Sequence, residues 1–152
     1  MHESIVSVEP NMSASCELGF QAIVNSARSL PPAGSLAAWQ ARRVRVYIEA
    51  NLMQSLDISA LAQVVNLSPS HFSRAFKRTL DMTVHRYVMQ RRVERAQHLM
   101  LTTSEALSGI ALSCGMSDQS HLSRWFRRVV GETPAAWRRA RYEPSRLASG
   151  GA

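Results

Sequence analysis

Cysteine is scarce in this chain of 152 residues, and the two present, Cys16 and Cys114, lie far apart. Two such thiols form neither a disulfide framework nor the paired spacing of a zinc site, and they fit a reducing compartment. Long apolar runs are missing as well. No stretch approaches the ~18 residues needed to span a bilayer. The N-terminus passes straight into His2 and Glu3, without the basic segment and apolar core of a secretion signal. A soluble, cytoplasmic protein with no membrane partner is expected. No segment keeps up the apolar–polar alternation of a half-buried strand, which points to an all-α fold. No Ser-His-acid, paired-carboxylate or phosphate-loop arrangement appears, so neither an enzyme nor a cofactor is expected.

Negative charge is also in short supply. Eleven Asp and Glu face 18 Lys and Arg, for a formal net charge of +7. Residues 1–35 hold Glu3, Glu9 and Glu17 against Arg28, a net −2, so the remainder carries +9. Lys77 is the only lysine, and the other 17 basic residues are Arg. Arg is the side chain that forks onto guanine edges and phosphates. A general preference for Arg codons gives the same count, so the net sign is the stronger indication of a polyanionic partner. The length allows one domain or two very small ones.

Residues 1–35 lack clear periodicity, and Leu30-Pro31-Pro32-Ala33-Gly34-Ser35 reads as a linker. A short helix is expected around Glu17 to Ala27. From Leu36 onward the apolar spacing is helical. Leu36, Trp39, Val44, Tyr47, Ile48 and Leu52 mark the inner face of a first helix. Asp57 is placed to cap a short second helix holding Ile58, Leu61, Ala62 and Val65. Asn66, which tolerates the left-handed conformation, ends it. Ser68-Pro69 is a capping hydroxyl followed by Pro at the first helical position, and it opens a third helix with Phe72, Ala75, Phe76 and Leu80 inward. Thr83 caps a longer helix to about Thr102, which spans roughly 27 Å at ~1.5 Å per residue. Its apolar side holds Val84, Tyr87, Val88, Val93, Ala96 and Met100, and Arg86, Arg91, Arg92 and Arg95 populate the rest. Ser104 is expected to begin a short helix with Leu107, Ile110, Ala111 and Cys114, which Gly115 stops. Ser117 is expected to cap the next helix, and Thr133-Pro134 a final one with Trp137 and the cluster Arg138, Arg139 and Arg141. The tail after Tyr142 reads as disordered.

One pattern occurs twice. Ser70-His71-Phe72-Ser73-Arg74-Ala75-Phe76-Lys77-Arg78 is matched by Ser120-His121-Leu122-Ser123-Arg124-Trp125-Phe126-Arg127-Arg128 at an offset of 50. Upstream, Leu61-Ala62 matches Ile110-Ala111 at an offset of 49, so the second turn has one residue more. A short helix, a tight turn and a polar-basic helix make up the helix-turn-helix pattern, whose second helix enters the major groove. On the first copy Ser70, Ser73, Arg74 and Lys77 share one face opposite Phe72 and Phe76. On the second, Gln119, Ser120, Ser123, Arg124 and Arg127 do so opposite Leu122 and Phe126. Gln pairs with adenine, Arg with guanine, and Ser with several edges or with phosphate. A single such helix is also what an ordinary solvated face looks like, but two matched copies make double-stranded DNA the expected partner.

Ile110-Ala111, the run from Gly115 through Arg128, Gly131, and Thr133-Pro134 through Trp137-Arg138 resemble the C-terminal signature of the AraC/XylS family of bacterial transcription regulators. Arg92-Val93 with Ala96 and Leu99 is similar to that family's linker-helix pattern. The resemblance covers about Leu36 to Arg141. It implies a seven-helix domain of two helix-turn-helix subdomains, at about 36–82 and 103–141, joined by a linker helix at about 83–102. Residues 1–35 would be an extension and 142–152 a disordered tail. It further implies a nucleoid-associated regulator that inserts two recognition helices into successive major-groove segments of promoter DNA, with RNA polymerase as a further candidate partner. Three departures stand out: Met116 replaces the usual Phe, and the Gly and Pro that are common near Asp81 and Val84 are missing. Ser70 and Ser73 are short at base-reading positions, so the first helix is expected to lean on Arg74.

Two reading heads in one molecule need no dimer. Half-sites one turn apart lie about 34 Å apart on the duplex, and the linker helix plus subdomain widths is compatible with that. A monomer on an asymmetric site is therefore expected. Most relatives of this kind carry a separate effector-binding or dimerisation domain, for which residues 1–35 are too short. A stand-alone regulator controlled by its abundance, a degenerate relative, and a docking tail all remain open. His71 and His121 are expected to pack or touch phosphate and not to bind metal, since no other ligand sits at helical spacing. Arg91 and Arg128 are further candidate phosphate contacts, and the linker's basic face either touches phosphate or is solvated. Cys114 is expected in the core, and Trp39, Trp125 and Trp137 at the core or its rim. The competing expectation is a general or architectural nucleic-acid binder driven by charge alone. A fused DNA-repair methyl acceptor would need a cysteine cluster upstream, and only Cys16 is there.

Overall fold

The computed structural model describes residues 32–141. The helix expected around Glu17 to Ala27 and the tail after Tyr142 lie outside the described residues. Among those described there are seven α-helices and no strand. They are α1 (Ala38–Ala50), α2 (Ile58–Val64), α3 (Pro69–Leu80), α4 (Val84–Thr102), α5 (Leu107–Ser113), α6 (Gln119–Val130) and α7 (Pro134–Arg141). None is long and apolar enough to cross a membrane.

α1 begins two residues later than its apolar spacing suggests, with Ala37 at the N-cap. The Ala37 N–H donates to Gln40 Oε1 (2.9 Å), and the Gln40 amide donates on to the Val65 carbonyl (3.3 Å). Leu36, Val44, Ile48 and Leu52 are buried, but Trp39 is 56% exposed, against expectation. Five residues before Val44, it lies about 140° around the helix from the buried stripe. Ile58 is likewise 40% exposed. Asp57 holds the N-cap position of α2 in extended backbone, yet its side chain makes no capping bond.

The third and fourth helices start as their caps predict. Ser68 Oγ accepts from the His71 N–H (3.3 Å) and Thr83 Oγ1 from the Arg86 N–H (3.2 Å). α5 starts at Leu107 and not near Ser104, with Ala106 at its N-cap. Residues 103–106 are occupied in closing the end of α4. Thr103 donates its hydroxyl to Leu99 O (2.7 Å), and the Arg138 guanidinium donates to Thr103 O and Glu105 O, each at 2.6 Å. The α6 cap is Asp118 and not Ser117: Asp118 Oδ1 accepts from the His121 N–H at 2.7 Å. The extra residue of the second turn is the reason, because the offset of 50 sets Asp118 opposite Ser68. Thr133 Oγ1 caps α7 by accepting from the Ala136 N–H (3.2 Å).

Apart from Gly34 (φ 82°) ahead of α1, the left-handed positions among the described residues fall where the chain leaves a helix. Asn66 (φ 55°) and Gly115 (φ 76°) end the first helix of each pair, and Asp81 (φ 54°) and Gly131 (φ 91°) end the second. Two separate apolar cores result. The first gathers α1, α2 and α3 with Val84 and Val88, and the second gathers Met89, Val93, Ala96 and Met100 with α5, α6 and α7. Aromatic pairs knit each one: Phe72–Phe76 and Phe76–Tyr87 at 5.7 Å, and Phe126–Trp137 at 5.6 Å. α4 crosses from one core to the other.

Candidate nucleic-acid interface

α3 and α6 are the two strongly two-sided helices of the fold. Phe72 and Phe76, and likewise Leu122 and Phe126, are 0% exposed and anchor their inner sides. This fixes what faces outward. On α3, Ser70, Arg74 and Lys77 are exposed, Ser73 is half-buried and His71 is exposed. On α6, Gln119, Ser120, Arg124 and Arg127 are exposed and Ser123 is half-buried. Neither helix carries a single Asp or Glu, and each ends in a basic pair, Lys77-Arg78 and Arg127-Arg128. Their N-terminal turns present backbone N–H groups and the positive end of the helix dipole. The cationic side chains thus sit in the middle and last turns of each outer face, while the Asp118 carboxylate caps the start of α6.

The long side chains are held differently on the two copies. Arg74 folds back on its own helix, its Nε donating to Ser70 O (3.3 Å). Arg124, Arg127 and Arg128 line a shallow open depression. Arg128 lies over the Trp125 ring at 5.3 Å, and Trp125 meets His85 of α4 edge-to-face at 5.4 Å. His121 is half-buried, with Nδ1 3.4 Å from the Ser117 N–H and 3.2 Å from its hydroxyl. Asp118 stands beside it. The backbone N–H of His121 and the Ser117 hydroxyl, both donating to its carboxylate, lower the Asp118 pKa below the ordinary aspartate value.

Several basic residues turn out to be committed inside the fold. Arg91, expected as a phosphate contact, is instead paired with Glu49 of α1 (2.5 Å) and with Glu94. Two carboxylates offset its charge, so it is withdrawn from the phosphate set. Arg92, expected on a basic outer face, is only 9% exposed and bonds two backbone carbonyls. Arg138 closes α4, and Arg141 pairs with Glu132 (3.0 Å) while stacking on Trp137 at 5.0 Å. For Arg92 the signal was present in the sequence: Val84, Val88, Arg92, Ala96 and Met100 form one i, i+4 stripe, and the residues on either side of it are buried. Cys114 is fully buried, and desolvation pushes its thiol up to about 11, which keeps it protonated and inert. Among the described residues no group of three or more His, Cys, Asp or Glu could hold a metal ion.

A helix-turn-helix domain model matches residues 61–140, just over half of the chain. The chain therefore belongs to the helix-turn-helix domain proteins. Its two motifs on one linker helix place it in the AraC/XylS type. It is 35% identical over 91 residues to the probable transcriptional regulator LumQ of Photobacterium leiognathi, a match covering 60% of this chain and 37% of that protein. The chain thus spans little more than a third of that curated relative. Among solved structures it is similar to a transcriptional regulator of Chromobacterium violaceum with an AraC-type DNA-binding domain. There the TM-score is 0.64 at 30% identity, over 69% of this chain and 94% of that one. It is also similar to the DNA-binding domain of the global transcriptional factor AdpA, solved in complex with a target DNA, with a TM-score of 0.63 at 27% identity over 73% and 98% of the two chains.

Proposed function

We propose that the chain is a sequence-specific, DNA-binding regulator of bacterial transcription that sets α3 and α6 into successive major-groove segments of promoter DNA. The observation that carries this is the pair of matched outer faces, basic and free of acidic residues, each seated on its own helix-turn-helix core. The likeness to AdpA, whose domain is seen with a target DNA, supports the reading. In it, Arg74 and Arg124 fork onto guanine, Gln119 reads adenine, and Ser70, Ser73, Ser120 and Ser123 meet base edges or phosphate. Lys77, Arg127, Arg128, His71 and His121 hold the backbone and set register without reading sequence. One molecule supplies both heads and binds as a monomer. Where binding activates transcription, RNA polymerase becomes a second partner.

The test is a comparison of variants on duplexes enriched by the chain from a random pool. Arg124→Ala is expected to cost about 1–3 kcal/mol at its base pair and to relax preference there alone. Arg74→Ala does the same in the other box. Lys77→Ala weakens all duplexes evenly and lowers the salt slope by about one. If preference survives both arginine substitutions, these helices are not the readers. The charge-only alternative then stands, with near-equal affinity for unrelated duplexes and a steep salt dependence.

A further inference from the structure

The two apolar cores do not merge. Val84 and Val88 of α4 end the first, and Met89 and Val93 begin the second. What crosses the seam is polar and tight. Arg92 is the one buried charged side chain among the described residues. Its Nε donates to Leu52 O at 2.9 Å and its Nη2 to Gln54 O at 2.7 Å, both on the loop between α1 and α2. Desolvation lowers its pKa, the signature of a cation drawn out of water. A buried charge is tolerated only where good hydrogen bonds offset its lost hydration.

The same loop is touched from the second helix-turn-helix. Gly115, the turn residue between α5 and α6, sits so close that a Cβ there would stand 2.4 Å from Leu52 O and 3.0 Å from Met53 Cα. Both are backbone atoms, which yield least. The Arg92 Nη2 is 3.1 Å from the same point. Residues 52–54 of the first subdomain are therefore tied to the linker helix by Arg92 and pressed against the second subdomain's turn at Gly115.

From these contacts we infer that Arg92 and Gly115 form a latch that fixes the separation and phase of α3 and α6, and so sets the box spacing the chain accepts on DNA. The DNA half of this rests on the function proposed above. Both are positioning residues. A shift of one base pair moves a box by about 3.4 Å and turns it by roughly 34° around the duplex. A stiff seam turns that misfit into lost contacts, whereas a loose seam absorbs it.

The experiment has two readouts on the full chain. Spin labels at Ser59→Cys on α2 and Ser108→Cys on α5, both exposed positions, report the distance between subdomains in a Cys16→Ser background. Cys114, fully buried, stays unlabelled. The unaltered seam is expected to give one narrow distance distribution. Arg92→Met is expected to broaden it with both cores still folded, and Gly115→Ala to displace it, with Arg92→Lys intermediate. On duplexes with the boxes moved by one base pair, the unaltered chain is expected to lose about tenfold in affinity. The Arg92→Met chain should lose under about threefold, at unchanged affinity for either box alone. A merely structural Arg92 would lower the melting temperature and leave spacing preference intact. An unchanged distance distribution in both Arg92→Met and Gly115→Ala overturns the latch. If the unaltered chain selects no boxes at all, the function reading fails, while the label distances still decide the latch.

Discussion

Asp81 and Gly131 occupy the same place in the two copies, one at φ 54° and the other at 91°. An L side chain in the left-handed region costs about 1 kcal/mol. Asp81→Gly is therefore expected to raise stability by up to about 1 kcal/mol in denaturant unfolding, less the extra freedom glycine gives the unfolded chain. No gain would mean that the Asp81 side chain makes compensating local bonds. Asp118 offers a second test. Its folded carboxyl is held below the ordinary value by the His121 N–H. The cap's contribution is thus present above about pH 4, the ordinary range, and is lost as pH falls through the folded value. Asp118→Asn keeps an acceptor oxygen and should flatten that acid limb of the stability profile. An unchanged limb would place the acid sensitivity elsewhere. The Asp118 cap was legible in the sequence, since the offset of 50 after the turn pairs it with Ser68. Ser117 drew attention because a hydroxyl is a common cap, but it stands one residue too early.

At the scale of the helix, periodicity identified which segments coil and left open which side faces in. Trp39 looks like a core residue by type and is exposed because Val44 and Ile48 set the inner stripe of α1. Arg92 looks like a surface residue by type and is buried because it continues the stripe of Val84, Val88, Ala96 and Met100. Residue type misled in both cases where position did not. Arg138 was less accessible to such reasoning. It reaches 33 and 35 residues back to Glu105 O and Thr103 O, and no local pattern marks that. Charged donors to backbone carbonyls contribute about 1.5–3 kcal/mol when shielded, and less at this half-exposed site. Arg138→Ala is expected to lower stability by about 1 kcal/mol and to speed amide exchange at the end of α4. A loss confined to α7 would contradict that role.

Among the described residues, two small cores are joined through one helix, α4, and α3 and α6 each turn a basic side outward. The twice-written motif makes the two-headed plan legible in the sequence, because each copy must solve the same local problem of cap, turn and inward aromatic. The relation between the heads was not visible. It depends on Arg92 and Gly115 meeting a loop far away in sequence, a contact that periodicity does not encode. The central claim is that these heads read two boxes at once. Selection of bound duplexes from a random pool by the full chain, near physiological salt, tests it most directly. An asymmetric consensus of two boxes about one helical turn apart, bound by one molecule, is expected. A pool left without enrichment, or a palindrome bound only by dimers, would contradict it.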